Sequence, residues 1–280
     1  MPHNKQQGTH KHQRLWCLWF ALCYFALARN CFGASYETGF PTIARLSQDL
    51  LRALEKEQRN GLVMPPILLE NVRTPYLQPG EQIEGKTNHQ AVFISAATID
   101  VLNYVAHANA IDRVDPGFLK KAINSLATAN GEELAALYQP THHKAWSFNT
   151  MNQQASHFNQ MAGCLVAIDM AHHYLGHYKK YAKQLGSGKN LTPLYSVITP
   201  QDWREAVLRG SRHALDCALA PEGLIVFYDA LSRMPTRPAW SLHFMPPAAE
   251  VMILRLELQR VEARFFDGRT TSGDNMIWTW

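Results

Sequence analysis

The sequence predicts an α+β domain, mainly helical with one small β-sheet, behind a short N-terminal leader. Two observations carry the fold class. Apolar residues recur at three- and four-residue spacing through most of residues 41–263, and one proline-punctuated stretch, residues 62–94, replaces that rhythm with short strand-like runs. No internal repeat or low-complexity block divides the remainder, and its length suits one core, so residues 35–280 are expected to form a single domain.

Residues 1–34 carry Lys5, Lys11, Arg14 and Arg29 and no acid, and within them residues 15–28, LWCLWFALCYFALA, hold no charge. Basic residues followed by an apolar run are the layout of a secretory signal or an N-terminal anchor. As a helix this run rises about 21 Å, short of the roughly 30 Å hydrocarbon core, which favours a cleaved signal over a permanent span. Ala26 and Ala28 offer small residues for cleavage, and Gly33-Ala34 is a second option with Phe32 badly placed. Cys31 follows Arg29 and Asn30, where a lipidation signal would want small residues. The expectation is export, to the periplasm or to a membrane-anchored form whose only membrane contact is the uncleaved leader.

The four basic leader residues account for the whole formal charge of +4, so the domain itself is neutral. No sustained basic face exists to neutralise phosphates, and nucleic acid is not an expected partner. Of five cysteines, only Cys164 and Cys217 lie in the domain. They could form one disulfide, but both fall in apolar helical stretches, where a buried free thiol is commoner.

In chain order, Pro41-Thr42 opens a helix holding Ile43, Leu46, Leu50, Leu51 and Leu54, which Asn60-Gly61 closes. Two to four short strands are predicted among Pro65, Pro66, Pro75, Pro79 and Gly80, followed by a strand-like run at 91–94. Ser95 caps a helix to about Asp112, Asp115-Pro116 starts another, and Gly131 interrupts it. After a loop at 141–147, residues 151–185 contain no proline and read as one long helix. A flexible loop follows at 186–190. Thr199-Pro200 begins a helix with Trp203, Val207, Ala214 and Leu215, Pro221 precedes another, and Pro246-Pro247 introduces a last one to about Ala263. The tail from Phe265 has no assignable pattern.

Chemistry concentrates in the long helix, where Asp169, His172, His173 and His177 crowd two and a half turns. Residues three or four apart share a helical face, so Asp169 can neighbour His172 or His173, and His173 can neighbour His177. Imidazole and carboxylate at that spacing suit zinc and similar ions. The competing reading is that these histidines satisfy hydrogen bonds at a half-buried surface. His157 lies about 22 Å along the axis from His172, too far to share an ion in one continuous helix. The surrounding amides, Asn152, Gln153, Gln154, Asn159 and Gln160, are expected to be solvated rather than to line a cleft. No G-x-S-x-G, P-loop or dinucleotide glycine fingerprint is present.

The segment Ile168, Asp169, Met170, Ala171, His172, with His177 five residues on, resembles the active-site helix of the zinc metallopeptidases of the CAAX prenyl endopeptidase and HtpX-like type, which reads H-E-x-x-H and then a further His. Asn88 to Ser95 with the following Ile99, Asp100, Val101 and Leu102 resembles the family's edge strand and next helix. Arg212, His213, Ala214, Leu215 and Asp216 stand where it has E-x-x-A-D, and Leu242, His243 and Phe244 are similar to its Thr-His-Pro segment. The resemblance covers about residues 42–263. It implies a zincin-like domain acting on a peptide or protein, with zinc held by the motif histidines and the later glutamate and with the motif glutamate as general base. This chain departs from the pattern: Ile168 replaces the first ligand, Asp169 the base and Arg212 the third ligand, which leaves His172. Two expectations follow. Either a rearranged set drawn from His172, His173, His177 and His213 holds zinc, with Asp169 handling water in a metal-dependent hydrolase, or the fold persists as a non-catalytic binding or envelope-assembly protein.

Overall fold

The computed structural model describes residues 38–84, 86–128, 137, 139–185, 192–247 and 250–271. The leader, the interruption at Gly131, the loop at 186–190 and the last residues of the tail lie outside the described residues. From Thr38 onward the chain forms one compact unit. It is the α+β, mainly helical domain that the sequence predicts.

Helix α1 (Phe40–Ala53) buries Ile43, Leu50 and Leu51, and a short α2 (Lys56–Arg59) leads into the sheet. Strands β1 (Leu62–Glu70), β2 (Leu77–Glu84) and β3 (Thr87–Ser95) have the order β1-β3-β2, with β1 parallel and β2 antiparallel to β3. The prolines explain the order. Pro65, Pro66 and Pro79 have no N–H for a ladder and fall in the two edge strands, and the β1–β3 register slips between Leu62 and Ile67, where two of them sit. Strand β3, which the resemblance made an edge strand, is the central one: it has no proline, and Ala91, Val92 and Ile94 on it are buried.

Ser95 ends β3 and caps α3 (Ala96–Asp112) by accepting from the Thr98 N–H at 3.2 Å. Helix α4 (Phe118–Thr128) follows. Helix α5 (Phe148–Tyr174), capped by Ser147, is the axis of the domain. Every residue from Met161 to His173 is buried, so it is a helix covered on all sides rather than an amphipathic one. Around it pack α1, α3, the sheet, α8 (Pro200–Asp216) and α9 (Glu222–Ser232). The elements α6 (His177–Leu185), α7 (Leu194–Val197), a 3-10 turn (Ala239–His243) and α10 (Val251–Thr271) complete the fold. Thr199 caps α8 by accepting from the Asp202 N–H, with Pro200 in the first turn. Among the described residues, no helix is long and apolar enough to cross a membrane.

Three expectations are corrected. The stretch 151–185 is two helices, because Gly176, at φ +76°, takes the left-handed conformation that ends α5, and its N–H bonds the His173 carbonyl. The amide-rich stretch is partly packed: Gln154 is buried and donates to Asn103 Oδ1 at 2.6 Å, and Gln160 accepts from the Gly223 N–H. The last helix runs to Thr271, eight residues beyond Ala263, because Phe265 still finds a buried place on it. Cys164 and Cys217 are free thiols, Cys164 buried.

Candidate metal centre at the corner of two helices

Of the histidines predicted to act together, His172 and His177 stay in contact, whereas His173 and His213 turn to backbone carbonyls elsewhere. His173 Nε2 faces the Ala91 carbonyl of β3 at 2.9 Å, so it donates to the sheet, and burial pushes its imidazole down to about 4. His213, on α8, meets the Leu50 carbonyl of α1 at 2.7 Å. Among the described residues neither belongs to a group of three metal-ligating side chains, and the expectation that His173 and His177 share one helical face is overturned. Arg212 points outward, paired with Asp216 at 3.0 Å and lying over the Phe265 ring.

Asp169 is fully enclosed. Burial raises its carboxyl well above the ordinary value of 3.8, its Oδ2 has no hydrogen-bond partner, and its charge would act on Tyr195 and Tyr228. Such an acid is held neutral and cannot meet a solvent-borne substrate. Its contribution to stability is complete below the unfolded value near 4 and is lost as pH rises. The difference in urea midpoint between Asp169→Asn and wild type is therefore expected to move in the variant's favour from pH 4 to pH 8. A pH-independent difference would show an ionised, exposed carboxylate.

His177 finds company that the sequence reading missed. As the first residue of α6 it faces the start of α8, with Nε2 3.8 Å from Asp202 Oδ1 and 3.6 Å from Glu205 Oε2. Donor atoms of the three residues all lie within 4.8 Å of one another, and the group could hold a metal ion. Donors about 2.0–2.2 Å from a tetrahedral ion sit roughly 3.3–3.6 Å apart, so the two distances from His177 Nε2 fit within a few tenths of an ångström, while the two carboxylates lie within 4.8 Å of each other. Asp202 is anchored through its other oxygen, which accepts from Lys180 and Tyr181 at 2.7 Å each. Burial alone would raise its carboxyl, but those hydrogen bonds and the His177 and Lys180 charges bring it down to about 2. For His177 burial outweighs the two carboxylates and lowers its imidazole, favouring the neutral form that a metal takes. Asp202 is 15% exposed and Glu205 47%, so the group opens to solvent on the glutamate side.

Behind His177 lies His172, the histidine that the resemblance aligns with a motif ligand. Its Nδ1 is 3.2 Å from His177 Nδ1 and its Nε2 is 3.2 Å from the Tyr195 hydroxyl. Burial, then His177 and His173, hold it well below the ordinary value, so it too is neutral.

The place the resemblance assigns to the first ligand is closed. A Cβ built on Gly210 of α8 would stand 2.6 Å from Ile168 Cα and N and 2.8 Å from the Ala167 carbonyl carbon. The backbones of α5 and α8 therefore touch at that level. A separate cleft lies between α8 and α10, lined by Pro200, Trp203, Glu250 and Leu254 and bordered by the Arg204–Glu257 ion pair, and includes no member of the His177 group. The signals for Asp202 and Glu205 were their three-residue spacing and their place after the Thr199-Pro200 cap. First-turn acids also serve the helix dipole, which hid them. Comparison with known proteins finds no matching family model, no matching curated protein and no matching solved structure.

Proposed function

We propose that this chain is an exported, zincin-like protein that has given up peptide hydrolysis, binds zinc at His177, Asp202 and Glu205, and acts by holding a peptide or protein partner. The observation that carries the reading is the convergence of one imidazole nitrogen and two carboxylate oxygens from two helices. One nitrogen and two oxygens are an ordinary zinc donor set, whereas calcium would ask for six to eight oxygens. Loss of hydrolysis follows from chemistry. Ile168 cannot ligate, Asp169 is enclosed and neutral, and Arg212 is turned away. Export rests on the leader alone.

A second reading, a metal-dependent hydrolase with a rearranged site, is favoured by one feature. Three protein ligands with a solvent-facing glutamate leave a coordination position open, as catalytic zinc sites do. Elemental analysis and a peptide-library assay with added zinc separate the two. The expected result is near-stoichiometric zinc in the wild type, retained in His213→Ala and lost in His177→Ala, with no cleavage. Chelator-sensitive cleavage would establish the hydrolase. Zinc retained in His177→Ala would remove the site.

A further inference from the structure

We propose that His172 is a positioning residue for the metal, fixing through one shared proton that His177 carries its own proton on Nδ1 and turns a bare Nε2 to the ion; this rests on the zinc reading above. The two Nδ1 atoms face each other at 3.2 Å, so one N–H lies between them. Two arrangements satisfy that contact. In the first, His172 Nδ1–H donates to His177 Nδ1, the His177 proton sits on Nε2 and points at Asp202 and Glu205, and His172 Nε2 accepts from the Tyr195 hydroxyl. In the second, His177 Nδ1–H donates to His172 Nδ1, His177 Nε2 is a bare lone pair, and His172 Nε2–H donates to Tyr195 Oη. Each ring carries one proton in both, so the two differ in tautomer and not in charge.

The carboxylates choose between them. A bare nitrogen facing two carboxylate oxygens is repelled when nothing lies between, so the first arrangement belongs to the metal-free protein. A cation reverses that preference and needs the lone pair on Nε2, so the second belongs to the metal-bound protein. His172 is fully buried and is the partner that His177 Nδ1 meets. Outer groups that orient a ligating histidine are worth roughly 10–100-fold in metal affinity. The residue that the resemblance makes a ligand here stands one step behind the ligand, and Tyr195 stands behind it.

The test is a zinc competition titration of the full chain in three forms, together with nitrogen NMR of the histidine rings. His172→Leu removes the acceptor, and His172→Asn replaces it with a side-chain carbonyl. The expected result is about 10–100-fold weaker zinc binding for His172→Leu and affinity within about threefold of wild type for His172→Asn. In zinc-bound wild type, His177 should be protonated at Nδ1 and bonded to metal at Nε2. A zinc-bound wild type with His177 coordinated through Nδ1 overturns the proposal even if a variant fails to fold. So does equal affinity in all three proteins while His177→Ala abolishes binding, or equal weakening by Leu and Asn. Zinc that fails to bind the wild type, or that ignores His177→Ala, defeats instead the reading on which the proposal rests.

Discussion

Gly210→Ala is expected to melt on the order of 10 °C below the wild type, a loss of about 3 kcal/mol or more. Two effects oppose each other. Alanine is better than glycine inside a helix by about 1 kcal/mol, which would stabilise α8. Against that, the new methyl would stand 2.6 Å from two backbone atoms of Ile168, and backbone cannot turn aside as a side chain can. Relief requires α5 and α8 to move apart, and α5 is the axis on which the whole core packs. The clash therefore wins. Gly163→Ala is the control: its methyl meets Leu219 Cδ1 at 2.3 Å, the free end of a flexible side chain, so the cost should be smaller by at least about 1 kcal/mol. Equal melting temperatures for Gly210→Ala and wild type would show that the helices do not touch there and that the space beside Ile168 has room.

Stability should also collapse between pH 6.5 and pH 4. Seven buried histidines, His107, His157, His172, His173, His177, His213 and His243, are all lowered by burial. In the unfolded chain each takes up a proton as pH falls through about 6.5, and in the folded chain it resists. The unfolded state then binds more protons, so stability falls as pH falls and levels off only below the folded values, which for His173 and His243 are about 4. A displacement of that size corresponds to on the order of 3 kcal/mol per residue before any relaxation, and a domain has roughly 5–15 kcal/mol in all. Asp169 works in the opposite sense, gaining as pH falls toward 4, but it is one group against seven. Urea midpoints measured from pH 7.5 to 4.5 should drop steeply, and His243→Gln should flatten part of the slope. A level profile over that window would contradict the burial of these rings.

The elements were legible wherever a local signal fixed them. Ser95 and Thr199 mark helix starts through hydrogen bonds that a short window of sequence specifies, and the prolines marked the strand region, whereas residues 88–95, likened to an edge strand, form the central one. The site was half legible. The cluster at 169–177 was visible, but its use depended on Gly176, a single glycine that read as an interruption tolerated within a helix and in fact turns His177 toward α8. Asp202 and Glu205 are 25 and 28 residues beyond His177, and nothing local ties them to it. Burial decided the rest: Asp169, His173 and His213 look like ligands in a string of letters and become packed groups once α5 is covered on every side.

The displaced site is tested most directly by locating zinc itself, through anomalous diffraction from crystals of the protein grown with stoichiometric zinc. One peak within about 2.2 Å of His177 Nε2, with Asp202 and Glu205 oxygens closing on it and His172 behind His177, is the expected result. A peak coordinated by His172 Nε2, between α5 and α8 beside Ile168, would contradict it.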